Sequence, residues 1–239
     1  MLIYAVKELN KELLKNINED INTNIEQEIE ILSKINHPNI VKYYGTFEKK
    51  NCLNIVLEYC NGGSLSKLLK HYKFDENMIR NYISQILDGL EYLHIHNIIH
   101  RDIKCANILM HNSVCKLTDF GSAKILKGDI NQTASMKGTL NWMAPEIMKS
   151  EVPTRYSDIW SIGCTVIEMF DKPPYSDKQN LNIIRILENR DIPKIPEGMS
   201  ELLKDFVKKC LAFEGSKRLN VYELKRHPFL DNDDTISFS

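Results

Sequence analysis

Over eight positions the chain reads His100-Arg101-Asp102-Ile103-Lys104-Cys105-Ala106-Asn107, and seventeen residues after Asp102 comes a second aspartate, in Asp119-Phe120-Gly121. Carboxylates can accept protons, carboxylate and amide oxygens suit hard cations, and a lysine neutralises an anion. A lone loop aspartate usually bonds its own turn. Here two are paired, with a lysine and an asparagine placed just after the first, and chemistry becomes the better reading. A third short motif, Ala144-Pro145-Glu146, closes a stretch (119–146) that lacks helical or strand periodicity. Loops of that length inside compact domains are usually functional.

In this order and spacing the motifs resemble the H-R-D…N, D-F-G and A-P-E signature of eukaryotic protein kinases, and the resemblance covers essentially the whole chain. It implies phosphoryl transfer from ATP, a reaction in which positioning and charge neutralisation do most of the work. Asp102 would orient or accept the proton of the substrate hydroxyl. Lys104 would neutralise the γ-phosphate, as in serine/threonine kinases, and Asn107 and Asp119 would hold Mg²⁺. Ala5-Val6-Lys7 resembles the strand whose lysine holds the α- and β-phosphates, with Glu28 as its helix partner and Glu26 and Glu30 as nearby alternatives. Leu57 matches the gatekeeper position. The backbone of Glu58 and Cys60 would bond the adenine edge, with Ala5 and Leu109 packing on its faces. Asp158 matches a buried helix aspartate that braces the catalytic loop, and Glu146 with Arg218 matches a structural ion pair.

Within the family the chain is similar to the MEKK-like mitogen-activated protein kinase kinase kinases of the sterile-kinase group. The resemblance rests on His37-Pro38-Asn39-Ile40-Val41, Tyr44-Gly45-Thr46, the Asp102–Leu109 segment, Gly138-Thr139 with Trp142-Met143-Ala144-Pro145-Glu146, and His227-Pro228-Phe229. Lys104 and Thr139 point to serine/threonine acceptors, and the expected substrate is a downstream kinase kinase. Arg101 could pair with a phosphate on the 119–146 loop, placed at Thr133 or Ser135 by an upstream kinase or by autophosphorylation. Thr139, by its position, is expected to bond Asp102 and Lys104.

These residues need elements to hold them. A strand is expected almost from the chain start, through Lys7. Thr23-Asn24-Ile25-Glu26 reads as a capping box opening a helix with Ile25, Ile29 and Leu32 on one face. Residues 40–48 and 52–59 read as a hairpin across Lys49-Lys50-Asn51. From Gly62-Gly63 onward the pattern turns helical: 75–95 carries Ile79, Tyr82, Ile83, Ile86, Leu87, Leu90 and Leu93 as a core-facing stripe. Short strands are expected at 108–110 and 114–118. Helices follow at 156–170, at 177–189 behind a second box (Ser176, Gln179), and at 200–211. The fold class is therefore α+β and bilobal: a small antiparallel sheet with one helix over residues 1–60, a larger, mainly helical lobe over 61–230, and a fraying tail at 231–239.

Composition agrees with an ordinary globular chain. Of 239 residues, 43% are hydrophobic and 26% charged, and 31 basic against 32 acidic residues leave a net charge of -1. No bulk basic field suggests nucleic acid, and no apolar run approaches the roughly 18 residues of a membrane span. The six cysteines form no C-x-x-C pair, which disfavours zinc and a disulfide framework and suggests reduced thiols in the cytoplasm.

The chain departs from the family pattern at its start: six residues precede Lys7 and none is glycine, whereas kinases place a glycine-rich loop there. The sequence is then either a fragment or a variant with an open phosphate site, and its first strand is left as a sheet edge. Leu140-Asn141 stands where Pro-Tyr is more usual, and Leu219 where proline is. The expected function is a protein serine/threonine kinase using ATP and Mg²⁺. A catalytically impaired scaffold module is the first alternative, and a small-molecule kinase of related fold the second.

Overall fold

The computed structural model describes residues 2–10, 19–126, 138–149 and 151–231. Strand β1 (Tyr4–Asn10) is followed by helix α1 (Glu19–Lys34) and the hairpin β2 (Tyr43–Lys49) and β3 (Cys52–Glu58). The three strands form an antiparallel sheet in the order β1-β3-β2, with Ala5 opposite Leu57 and Lys7 opposite Ile55. The hairpin turns through Lys50 and Asn51, with φ of 47° and 60°. Two left-handed residues give the turn a twist that matches the strands. Among the described residues β1 has β3 as its only neighbour, so its other side is a sheet edge.

Helix α1 starts about a turn before the expected capping box, which puts Thr23 in the helix interior. The same letters occur inside helices, and only an extended backbone at the first of them makes a cap. Of the expected face, Leu32 is buried and Ile29 is half-buried and packed against the core, with Ile31 and Glu28 buried beside them and Ile35 buried just past the helix end. Glu28 is thereby carried towards β1.

The larger, helical part is built on α3 (Glu76–Ile95) and α5 (Arg155–Phe170), with α2 (Leu65–Leu68) leading in. Asp75 caps α3 by accepting from Met78 N–H at 2.8 Å. The stripe Ile79, Ile83, Ile86, Leu87, Leu90 and Leu93 is buried, each side chain contributing about 1.5–3 kcal/mol. Tyr82 is half-buried beside it. Helix α5 is buried from Ser157 to Met169 on every face, as befits the centre of a lobe. Gly89 of α3 is required by a close approach: a Cβ there would lie 2.9 Å from the Asn39 carbonyl.

Between α3 and α5 run β4 (Ile98–Ile99), the hairpin β5 (Ile108–His111) and β6 (Val114–Leu117), and β7 (Lys124–Ile125), which pairs with β4. The 119–146 stretch is not all loop. It contains 3-10 turns at Phe120–Ser122 and Leu140–Trp142 besides β7, and the one-turn helix α4 (Pro145–Met148) begins inside it. Helices α6 (Asn180–Glu188), α7 (Glu201–Cys210) and α8 (Val221–Leu224) complete the lobe. The Ser176–Gln179 box does not form, because Gln179 itself is the extended residue before α6 and makes no side-chain cap. The expected fraying tail lies, beyond Asp231, outside the described residues.

The two parts meet along a seam. Val41 N–H donates to Leu117 O at 2.9 Å and Leu117 N–H to Asn39 O at 2.8 Å. Asn39 Nδ2 adds a bond to Cys115 O at 3.0 Å.

Candidate active site

The 3-10 turn at Cys105–Asn107 sets Asn107 beside Asp102, and Asn107 Nδ2 donates both to Asp102 O at 2.9 Å and to Asp102 Oδ2 at 2.7 Å. Lys104 Nζ reaches the same Oδ2 at 2.8 Å. Thr139 closes the other side: its N–H and hydroxyl donate to Asp102 Oδ1 at 3.1 and 2.8 Å, and Lys104 Nζ also bonds its hydroxyl. Burial alone would raise the Asp102 carboxyl, but the bonds from Lys104, Thr139 and Asn107 outweigh it and hold the carboxyl below its ordinary value. Asp102 is therefore an oriented, ionised carboxylate at neutral pH.

Gly138 makes the closure by Thr139 possible. Its φ is +122°, and a Cβ would sit 2.7 Å from Arg101 O, so the chain can pass the catalytic loop only without a side chain there.

Across the cleft, Lys7 Nζ donates to both carboxylate oxygens of Glu28, at 2.8 and 3.0 Å, and lies 3.5 Å from Asp119 Oδ1. Of the three candidate glutamates, Glu28 is the one that faces inward. Glu26 is exposed, and Glu30 pairs with Lys34 at 2.6 Å on the surface. Asp119 adopts a left-handed backbone (φ 63°), which turns Phe120 into the core against His100, with ring centroids 5.0 Å apart, and leaves its own carboxylate half-exposed. A cavity of about 200 Å³ is lined by Lys7, Glu28, Leu32, Val41, Leu57, Thr118, Asp119 and Phe120.

The remaining predicted residues stand outside that lining. Ala5 is paired with Leu57 at its rim, and Cys60 follows β3 as a buried thiol pushed up to about 11 by desolvation. Leu109 lies on β5. Glu58 uses its N–H on Lys42 O at 2.8 Å. Its side chain turns away to Lys116 Nζ at 3.0 Å.

The donor set fits a single Mg²⁺. Asn107 commits its amide nitrogen to Asp102, which frees the amide oxygen, and Asp119 offers a half-exposed carboxylate. Mg²⁺ characteristically takes one or two carboxylates and fills its shell from water and phosphate. Among the described residues no group of three or more His, Cys, Asp or Glu is placed to hold a metal ion.

Asp158, fully buried on α5, braces the loop from behind. It accepts from His100 N–H at 3.0 Å, Arg101 N–H at 2.8 Å and His94 Nε2 at 2.9 Å. Arg218 holds Glu146 through two parallel bonds of 2.7 and 2.8 Å and also donates to three backbone carbonyls.

Sequence comparison matches residues 1–230 to the protein kinase domain. The chain belongs to the protein kinase family. It is 46% identical over 212 residues to mitogen-activated protein kinase kinase kinase 3 of Arabidopsis thaliana, covering 86% of this chain and 33% of that protein. To mitogen-activated protein kinase kinase kinase A of Dictyostelium discoideum it is 44% identical over 216 residues, 88% of this chain and 23% of that one. Cytokinesis protein sepH of Aspergillus terreus is 44% identical over 208 residues, 86% of this chain and 15% of that one. The kinase domain thus spans a third or less of the length of these relatives.

Sequence reading missed three polar residues of this kinase domain. His94, on the apolar stripe of α3, bonds Asp158, and Lys116 ties Glu58 to Pro38 O at 2.8 Å. Glu168, buried on α5, is the third. Only Glu168 had a local signal, an acidic residue inside an otherwise apolar helix.

Proposed function

We propose that this domain transfers the γ-phosphate of ATP to serine or threonine hydroxyls of a protein. The observation that carries the reading is the arrangement around Asp102, an ionised carboxylate flanked by Lys104 and fixed by Thr139 and Asn107. In the reaction Asp102 takes up the acceptor hydroxyl proton as the oxygen approaches phosphorus, and Lys104 meets the negative charge of the γ-phosphoryl group. Lys7, aimed by Glu28, holds the α- and β-phosphates. The Glu58 carbonyl and the Cys60 N–H bond the adenine edge, with Ala5, Leu57 and Leu109 against the ring. Mg²⁺, when held by Asn107 and Asp119, supplies neutralisation of the phosphate charge.

The kinase kinase kinase relatives support a downstream kinase kinase as the protein substrate, in a mitogen-activated protein kinase cascade. Control through the 119–146 loop is part of the same reading. Arg101 has a left-handed backbone and one guanidinium nitrogen, Nη1, that is buried with no hydrogen-bond partner among the described residues. Lys124 lies close enough for its ammonium to be lowered, first by burial and then by Arg101. Two adjacent cations favour a phosphate on the neighbouring segment. Thr133 and Ser135 lie outside the described residues. No described helix is long and apolar enough to cross a membrane, and the cysteines, which form no disulfide among the described residues, support a reducing, cytoplasmic setting.

The test is phosphate transfer from Mg²⁺-ATP to a generic Ser/Thr protein acceptor, run with Asp119→Asn in parallel. Transfer abolished by the substitution supports the reading. Transfer unaffected by it, or nucleotide binding without any transfer, moves the scaffold reading to first place.

A further inference from the structure

The helical lobe holds a second cavity, about 560 Å³ against about 200 Å³ beside Lys7. It lies where the end of α3, the residue after β7 and the first turns of α5 and α8 come together. Its walls are mostly hydrocarbon: Ile95, Leu126, Ile159 and Val221, with the rings of Tyr156 and Tyr222. Ile159 and Val221 are buried, whereas Ile95 and Tyr222 stand 70% and 52% exposed. An apolar hollow of this size with a few polar groups converging on it has the character of a small-molecule site. Lys7, Asp102 and Asp119 do not line it.

The polar groups narrow the ligand. Glu91, in the lining, is matched by Lys225, whose Nζ lies 2.5 Å from its carboxylate and 2.9 Å from that of Asp88. Arg155, also in the lining, is bonded among the described residues to a neutral group, its Nη2 donating to Asn97 Oδ1 at 2.6 Å. Arg226 stacks its guanidinium 3.8 Å from the centre of the Tyr222 ring and likewise donates to a neutral group, the Tyr222 hydroxyl. Two guanidinium groups with neutral partners thus flank an apolar hollow. A guanidinium recognises a carboxylate through two parallel bonds, and a methylene chain is what such walls remove from water.

The cavity also backs onto the catalytic loop. His94 lines it and is buried, and His94 Nε2 bonds Asp158 Oδ2 at 2.9 Å. The same oxygen accepts His100 N–H at 3.0 Å, and Asp158 Oδ1 accepts Arg101 N–H at 2.8 Å. A molecule lying against His94 restrains the residue that bears on both bonds.

We propose that this cavity binds a single-chain amphiphile with a carboxylate head. The chain lies among Ile95, Leu126, Ile159 and Val221, the head meets Arg155, and occupancy steadies the catalytic loop through His94 and Asp158. The site goes beyond the kinase reading and does not depend on phosphate transfer.

Calorimetric titration of the full chain with decanoate, and separately with decylamine, tests the site, since the two probes share a chain and differ in charge. Decanoate should saturate at one per chain and bind about tenfold tighter than decylamine, the scale of a hydrogen bond between charged groups. Arg155→Gln should remove about that tenfold for decanoate without weakening decylamine. Ile95→Glu should weaken decanoate as well and favour decylamine. Both side chains are exposed, so the variants should keep the wild-type unfolding midpoint. No saturable uptake of decanoate, equal affinity for the two probes, or indifference to both substitutions would overturn the site. Amide hydrogen exchange on the same samples tests the link to the loop. With decanoate bound, exchange at His100 and Arg101 should slow severalfold. Unchanged exchange at those two amides in the saturated protein would overturn the coupling through His94.

Discussion

Thr139 donates both its backbone N–H and its hydroxyl to one oxygen of Asp102, at 3.1 and 2.8 Å. A residue from the far end of the 119–146 stretch thus adds to the carboxylate's hydrogen bonds and also bonds Lys104. Thr139→Val preserves shape and removes the hydroxyl donor, and should lower kcat about tenfold, the loss of one hydrogen bond to a charged group. Because that donor helps hold the Asp102 carboxyl down, the acid limb of the kcat/KM profile should move to higher pH in the variant. An unmoved limb would mean that Thr139 is packing rather than electrostatics.

Lys7 depends on Glu28, and Glu28 on Lys7. Lys7→Met should lower kcat/KM for ATP by about a hundredfold or more, the scale of removing one preorganised charge contact from a reacting phosphate. Glu28→Gln should do less, since it leaves the lysine in place but frees its direction. Steady-state kinetics with ATP as the varied substrate would decide. Equal effects would contradict the view that Glu28 acts by aiming Lys7.

Glu146 and Arg218 set a stability prediction with a definite sign. Burial would raise the Glu146 carboxyl, but the bonds from Arg218, with help from Ser157, win and hold it below its ordinary value. A carboxyl depressed by folding contributes stability that is fully present above its unfolded pKa, about 4.3, and is lost as pH falls through the folded value. Arg218→Met leaves a buried carboxylate unpaired and should cost about 3–5 kcal/mol at neutral pH. The difference from wild type should shrink in acid, where the stranded glutamate protonates. Urea unfolding at pH 7 and pH 4 measures both values, and an equal deficit at the two would refute the ion-pair account.

Asp158 holds the catalytic loop by two backbone N–H groups and His94. Asp158→Asn keeps the shape, but its amide nitrogen would face a donor, leaving a buried N–H unsatisfied at about 1–3 kcal/mol. The expected result is a lower midpoint in thermal unfolding together with a loss of kcat, because Arg101 and Asp102 share the same stretch of backbone. A fall in activity with no change in midpoint would point instead to a direct chemical role.

The clustering of Asp102, Lys104 and Asn107 was legible in the sequence because the three lie within a few residues, where spacing is geometry. Helix α3 and its stripe were legible for the same local reason. The choice of Glu28 over Glu26 and Glu30 was not, since it depends on which face of α1 is buried, and that is decided only once the sheet is in place, with Ile31 and Leu32 buried beside Glu28. Thr23 misled because a cap is a backbone conformation and its letters are only a preference. Lys116 and His94 were invisible because their partners, Glu58 and Asp158, lie far away in the chain and are joined only by the fold.

The most direct test of the account is transfer of labelled phosphate from Mg²⁺-ATP to a Ser/Thr protein acceptor. It should compare wild type with Asp102→Asn, in this chain and in any longer natural form that contains it. The account predicts transfer by wild type and a fall of about a hundredfold or more in Asp102→Asn, with nucleotide affinity retained. Equal transfer by the two proteins, or nucleotide binding with no transfer by any wild-type form, would contradict it.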